Sequence, residues 1–522
     1  MIAAPHLDWT AVTPELITGG AAILVLLIGL GKTVFWNRAV SIVALVALAA
    51  SFGFSWAQFD NASLGAWVQQ INSDSFAQMG RMLATGAGFV AVLMSFGLVQ
   101  RDRVGEYHAL LLAAVCGMGM FSAGASFVTL FVGLELFSIA LYVLCAIDVN
   151  RATSLEAGLK YLIIGGLASA IFLYGLALVY GATGSFELEA IGAQKHGGAL
   201  IFTGLAMVIA ALTFKASAAP LHWWTPDVYT GAPTPITAFM AVGTKAVAFV
   251  ALTRVLVTSF PADAHVWVPV IAALATISIV VGNLGALMQN ELKRMLAYSS
   301  VAHAGYLLIG LVGWRFVGVA ALLYALVVYA IMTLGAFALV YMRERALGRP
   351  ATFDDLRGTG WGNGALPMLS ALPGIAMTIV MLSLAGIPPT AGFFGKLLLF
   401  GGAVQADYAW LAVVGALGSV ISLGYYLRVP VAMYLQSAVV LVEGTAALEL
   451  DAVASAVTGR ESGRERGGRS VPALAALGVV FAIGVIVFGL APRLVLDRAC
   501  DVRSSLLIGY TDITCGPVDA SG

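Results

Sequence analysis

The chain has 522 residues, is 60% hydrophobic and only 10% charged, and has a mean hydropathy of +0.94. Soluble domains carry about 25% charged residues, so this composition excludes a soluble globular protein and describes a polytopic membrane protein. Its 27 basic and 27 acidic residues cancel, which leaves no basic excess for nucleic acid, and no nucleic-acid motif occurs. The four cysteines include no C-x-x-C pair for a metal or iron–sulfur framework, and the six histidines offer no pair at matched depth for haem.

The N-terminal MIAAPHLDWTAVTPEL lacks the basic region of a signal peptide and the arginines of a transit peptide, so the first apolar stretch is expected to remain as a span. With about 20 residues per crossing, the chain divides into about fourteen spans. Spans 1 to 3 cover 14–33, 38–57 and 78–99. The apolar run 109–147 is too long for one crossing and breaks at Ser122–Ser126 into spans 4 and 5. Span 6 covers 157–181, and span 7 starts near 198 and runs into a proline-studded stretch ending near Thr230. Spans 8 to 11 cover 235–258, 266–287, 293–313 and 317–342. Span 12 covers 367–401 around SLAGIPPTAGFFGK, and spans 13 and 14 cover 408–435 and 471–491.

Loop charges orient this all-α bundle. Loops after spans 1, 3, 5, 9, 11 and 13 hold Lys32, Arg38, Arg101, Arg103, Arg151, Lys160, Lys293, Arg294 and the arginines of 343–357 and 460–469. The opposite loops hold only Lys195 and Arg315, so the positive-inside rule places the N-terminus outside. Arg493, Arg498 and Arg503 depart from the rule.

Prolines interrupt two spans. Pro220, Pro226, Pro233 and Pro235 punctuate span 7, and Pro388 and Pro389, flanked by glycines, punctuate span 12. Proline removes a backbone donor, so both segments are expected to be broken helices, which lipid tolerates only where protein or a polar cavity covers them. Broken spans five apart suggest two inverted five-span repeats. The expected organisation is a three-span bundle at 1–106, repeats at 107–258 and 259–436, a polar cytoplasmic loop at 437–470, a last span at 471–495 and a polar tail at 496–522. Cys500 and Cys515 lie in that tail, where a disulfide forms only if it faces an oxidising side. Cys116 and Cys145 read as packing residues.

Charges inside spans carry the chemistry, because one at the bilayer centre costs about 3 kcal/mol or more. Glu135 in span 5, Lys215 beside the break of span 7, Lys245 mid-way along span 8 and Lys396 beyond the break of span 12 form a series of one acid and three lysines. Burial disfavours the charged form of each, which suits proton exchange. The bland alternatives are a static helix-gluing ion pair for Glu135 and snorkelling to the interface for Lys215 and Lys396. Lys245 is too deep to snorkel. His303, among Tyr298, Ser299, Ser300 and Tyr306 in span 10, is a candidate bridge between Lys245 and Lys396 or a satisfied packing histidine. Lys293 reads as an inward anchor, and His222 and Asp227 as caps at the exit of span 7.

The segments GLEL around Glu135, FKASAAPLHWWTPDVYTGAPTPITAF at 214–239, GTKA around Lys245 and AGIPPTAGFFGK at 385–396 resemble the antiporter-like membrane subunits of proton-pumping NADH:quinone oxidoreductase, respiratory complex I. Within that set the chain is similar to subunit N (subunit 2 in mitochondrial naming), since subunit M has a glutamate where Lys396 stands and subunit L a long lateral helix. The resemblance implies a Glu135–Lys215 pair, a central Lys245, and a route through His303 to Lys396. It also implies partner membrane subunits, with FMN, iron–sulfur clusters and the NADH and quinone sites on other chains and no cofactor or metal on this one. The bacterial cytoplasmic membrane is the expected location, ahead of the mitochondrial inner membrane. The rival readings are a subunit of a multisubunit cation/proton antiporter driven by ion gradients, an inert assembly scaffold and a haem-binding membrane subunit.

Overall fold

The computed structural model describes residues 8–31, 33–60, 63–65, 70–96, 103–361, 367–437 and 471–506. The helices are α1 Thr13–Gly29, α2 Val34–Ala57, α3 Ser75–Met94, α4 Val104–Ala123, α5 Phe127–Cys145 and α6 Ala152–Thr183. They continue with α7 Ala199–Lys215, α8 Trp224–Gly231, α9 Thr234–Ser259, α10 Ala264–Leu287, α11 Leu292–Val312 and α12 Gly318–Leu347. The last are α13 Pro367–Ala385, α14 Ala391–Gln405, α15 Ala409–Tyr426, α16 Arg428–Leu435, α17 Val471–Leu490 and α18 Arg493–Leu506. A short hairpin pairs β1, Ser63–Gly65, with β2, Ile71–Ser73. Among the described residues, twelve helices are long and apolar enough to cross a membrane, α15 and α16 counting there as one. The shorter apolar helices α7, α13 and α14 fall where the expected spans 7 and 12 lie.

One pattern occurs twice. In the first instance α4 packs along α5, Ser126 before α5 forms a bridge with Glu187, and α6 ends on the left-handed Gly184 (φ +70°). In the second, α10 packs along α11, Glu291 before α11 forms a bridge with Thr352, and α12 ends on the left-handed Gly348 (φ +71°). Small residues permit the close helix pairs, as in many membrane interfaces. A Cβ on Gly117 of α4 would stand 2.6 Å from the Phe137 nitrogen, and one on Gly133 of α5 2.7 Å from the Phe121 nitrogen.

Two buried ion pairs that the reading of spans overlooked tie the N-terminal bundle, one within it and one to the rest of the chain. Arg81 of α3 donates to Glu15 of α1 at 2.7 Å, and the two are 1% and 7% exposed. Arg254 of α9 grips Asp74 with two N–H groups at 2.7 and 2.9 Å, while Asp74 also caps α3 by accepting from the Ala77 N–H. Glu135 is therefore not the one acid within the apolar helices.

The expected polar tail is corrected over its first part: α18 runs through residue 496 to Leu506 and buries Val495, Ala499 and Val502. Arg498 pairs with Asp60 at 2.9 Å and Arg503 donates to the Arg315 carbonyl, which accounts for two of the arginines that depart from the charge rule. Residues 438–470 and 507–522, including Cys515, lie outside the described residues. In the connection after α12, burial alone would lift the Asp355 carboxyl. Arg349, at 2.6 and 2.8 Å, and the Thr352 N–H and hydroxyl instead hold it down to about 2.

Candidate functional site

Lys215 closes the last turn of α7, after which Ser217 adopts a left-handed backbone (φ 62°) and the chain turns toward α8. Its ammonium, 1% exposed, donates to the Ser138 hydroxyl at 2.7 Å and sits 5.3–5.6 Å from the rings of Phe137, Tyr142 and Tyr161. Glu135 lies three residues before Ser138, on the same face of α5. Its charge interacts with that of Lys215, yet the two form no contact ion pair, and Glu135 Oε1 has no hydrogen-bond partner among the described residues. The expected Glu135–Lys215 pair is thus corrected to an arrangement in which Ser138 takes the lysine. Snorkelling does not apply to Lys215, because the helix break keeps it inside the protein.

Lys245 follows directly on a π-helical turn, Met240–Thr244, in α9, a helix buried over its whole spanning window. Such turns re-aim side chains and recur at functional sites. The Lys245 ammonium donates to both the carbonyl and the hydroxyl of Ser300 in α11, the hydroxyl at 2.7 Å, and lies 5.0 Å from the Tyr329 ring centre. Tyr329 of α12 donates its own hydroxyl to Ser300 at 3.1 Å. Between this group and Lys215 stands Tyr229 of α8. Its buried hydroxyl lies close to Ser217 and Ser300 without closing a hydrogen bond to either.

His303 is one turn beyond Ser300 on α11. Its ring lies 5.1 Å from that of Tyr329, and its Nε2 is 3.2 Å from the Tyr426 hydroxyl, which also bonds the Ser299 hydroxyl. Tyr306 extends the line: its ring is 5.7 Å from His303 on one side and 4.8 Å from the Lys396 ammonium on the other. Lys396 in α14 donates to the carbonyls of Ala385 and Leu384 at 2.8 and 3.2 Å. Those carbonyls end α13, so the break at Pro388 and Pro389 exposes the negative end of one half-helix to the cation on the other. Lys396 is 7% exposed and is no interfacial anchor.

Of the expected hydroxyls, Ser299 and Ser300 face this line, whereas Tyr306 uses its ring and gives its oxygen to Asn283 at 3.2 Å. Tyr298 packs against His222 instead. Lys293 is also corrected: it is 2% exposed and donates to the Ala232 carbonyl and the Thr234 hydroxyl, and Thr234 in turn reaches Glu344 at 2.5 Å. Asp227 sits in the first turn of α8 and binds Lys160 of α6 and Arg294 of α11 at 3.0 and 2.9 Å, a tie between helices rather than a member of the line. Cys145 packs its sulfur 3.3 Å from that of Met240. No cluster of three metal-ligating side chains occurs among the described residues.

A family model described as NADH:quinone oxidoreductase/Mrp antiporter, transmembrane, matches residues 124–422. NADH-quinone oxidoreductase subunit N of Trichlorobacter lovleyi is 38% identical over 438 residues, 82% of this chain and 88% of that protein. The chain belongs to the subunit N family of NADH-quinone oxidoreductases. Subunit N of Chloroflexus aggregans is 42% identical over 358 residues, 67% of this chain and 72% of that protein. A chain of respiratory complex I from Thermus thermophilus superposes with a TM-score of 0.75 at 33% identity, covering 93% of this chain and 99% of that one. A chain of the Mrp complex from Dietzia sp. superposes with a TM-score of 0.82 at 21% identity, covering 96% and 98%. That second likeness shows the shared fold alone, and sequence identity assigns the family. Ser138, Tyr229, Tyr329 and Tyr426 were not singled out from sequence. Ser138 and Tyr229 lie inside or beside the family segments, but nothing local marks Tyr329 or Tyr426, which reach the site from α12 and the end of α15.

Proposed function

We propose that this chain is a proton-translocating membrane subunit of an NADH:quinone oxidoreductase, and that Glu135, Lys215, Lys245, His303 and Lys396 carry the protons. Oxidation of NADH and reduction of quinone belong to other subunits, as do the FMN and iron–sulfur clusters. A change of charge at a neighbouring subunit alters the field at Glu135 and Lys215. Lys215 then passes a proton by way of Tyr229 and Ser300 to Lys245. From Lys245 the proton passes by Ser300, Tyr329 and His303 toward Lys396. The observation that carries this reading is the direct hydrogen bond from the buried Lys245 ammonium to Ser300, whose hydroxyl also accepts from Tyr329.

The twice-occurring pattern of helix pair, bridge and left-handed glycine supports treating residues 107–258 and 259–436 as inverted repeats. The distribution of lysine and arginine supports an orientation with the N-terminus outside, and the alanine- and glycine-rich chain supports a bacterial cytoplasmic membrane. The test is Lys245→Ala in the intact complex, reconstituted in vesicles, with proton uptake and NADH oxidation measured together. Loss of pumping per electron is expected. Unchanged pumping per electron would remove Lys245 from the route.

A further inference from the structure

Away from the line of lysines, an apolar groove runs between α2 and α3 of the N-terminal bundle and α12 and α17 of the main body. It has two lobes of about 330 and 490 Å³ that share Phe52, Met82, Leu83, Val327 and Ile331. Each lobe is at least twice the roughly 150 Å³ of a cavity that admits one benzene, and both fall in the ~300–1,000 Å³ range of ligand sites. On α3 the lining extends from Met79 to Val90, a rise of about 16 Å along the helix. That depth is about half of the ~30 Å hydrocarbon core, so it corresponds to one leaflet. The groove opens sideways past Phe52 and Trp56, which are 40% and 58% exposed.

Only one end is polar. There the chain leaves α2 through Asp60 and α18 begins, and Arg498 stands over the Phe59 ring at 5.7 Å. Arg498 donates one N–H to Asp60 at 2.9 Å and remains 45% exposed. A guanidinium has five donors, which leaves an edge suited to phosphate. A slot one leaflet deep, apolar along its length and with the exposed edge of an Asp60-paired guanidinium at its mouth, matches an acyl chain joined to a phosphate. We propose that the groove binds a membrane phospholipid, with an acyl chain along α3 and the headgroup phosphate at Arg498. This site is independent of the proton route.

The intact complex would be reconstituted in phosphatidylethanolamine vesicles containing a phosphatidylethanolamine with a photoactivatable diazirine near its chain end, and the adducts mapped by peptide mass spectrometry. Adducts are expected on the lobe residues of α3 and α12, above the level on the exposed faces of α10 and α15. Gly86 lines the deeper lobe, and a Cβ placed there meets only Phe52, at 4.0 Å. Gly86→Leu therefore fills the lobe without a backbone clash and is expected to lower these adducts about fivefold or more, roughly 1 kcal/mol. Arg498→Gln should lower labelling by the phospholipid but not by a diazirine fatty alcohol, which has no phosphate. Labelling no higher in the groove than on other lipid-facing helices would overturn the proposal, as would equal labelling in Gly86→Leu. Cross-links to a neighbouring subunit in place of lipid would show that a protein segment fills the groove, and would overturn it too.

Discussion

Ser300→Ala isolates one hydroxyl at the centre of the proposed route. In the structure this oxygen accepts from the Lys245 ammonium at 2.7 Å and from the Tyr329 hydroxyl at 3.1 Å. The Ser300 carbonyl also accepts from Lys245, so the lysine keeps one protein partner after the substitution and Tyr329 keeps none from Ser300. A hydrogen bond to a charged group contributes about 1.5–3 kcal/mol, and each 1.4 kcal/mol is a factor of ten. If proton transfer through Lys245 limits coupled turnover, the variant should run about 10- to 100-fold slower. The fold should be little affected, because the change removes a single oxygen and leaves the α11 backbone in place. The assay is uncoupler-sensitive proton uptake in vesicles beside NADH:quinone turnover, with subunit content checked on native gels. Ser300→Thr, which keeps the hydroxyl, should retain most of the activity. Wild-type coupled turnover in an assembled Ser300→Ala complex would refute the route between Lys245 and His303.

Three further outcomes are expected. Tyr426→Phe removes the oxygen shared by Ser299 and His303 and should slow coupled turnover roughly tenfold, the effect of a buried partner left unpaired; unchanged vesicle pumping would detach His303 from the line. Arg254→Gln leaves Asp74 buried without its guanidinium and should destabilise the subunit by about 3–5 kcal/mol, read as a lowered melting temperature of the complex. The double change Asp74→Asn with Arg254→Gln should recover part of that loss, and no recovery would show that the pair is not what is being broken. Asp355 is held at about 2, below its ordinary value, so its stabilisation is complete above about pH 4 and is lost only as pH falls through about 2. Hydrogen exchange in residues 352–357, corrected for intrinsic rate, should accordingly be flat from pH 7 to 5. Arg349→Ala should speed it by no more than about fivefold, since Arg349 is largely exposed and screened; a change of protection within that pH window would contradict the assignment.

The helices were legible because a bilayer enforces long apolar runs, and the breaks because proline and glycine are costly inside them. Lys245 and Lys396 stood out for the same reason, as charges with no short route to water. What stayed hidden required knowledge of neighbours. Lys293 looked like an anchor because it begins a span beside Arg294, yet the turn at Ala232 and Thr234 folds over it. Arg81 and Arg254 escaped notice because each lies near an end of its expected span, where a charge reads as interfacial, and their partners Glu15 and Asp74 lie far off in sequence. The tail helix α18 was missed because its apolar positions are spaced for one face of a surface helix, a weaker signal than a spanning run.

The buried charges divide by the company they keep, and the division bears on which of them can move protons. Arg81 and Arg254 hold carboxylates at 2.7 Å. A guanidinium stays charged at any physiological pH, so these pairs cannot exchange protons and act as fixed ties between helices. Lys215, Lys245 and Lys396 make no contact ion pair; their hydrogen-bond partners are a serine hydroxyl, a serine hydroxyl and carbonyl, and two helix-end carbonyls. The difference matters at the moment of deprotonation. Removing the charge from a buried ion pair leaves its partner uncompensated, at a cost of about 3–5 kcal/mol. When one of these lysines becomes neutral, no touching carboxylate is stranded, and the same oxygens still accept from the remaining amine N–H groups. Glu135 fits this logic because Ser138 takes the Lys215 hydrogen bond and the acid acts on Lys215 only through its field. A carboxylate introduced against Lys245 would convert an exchangeable charge into a fixed tie. Ser300→Asp should therefore assemble with a paired lysine and abolish pumping more completely than Ser300→Ala, and equal pumping by the two variants would show that the neutral surroundings of the lysines are incidental.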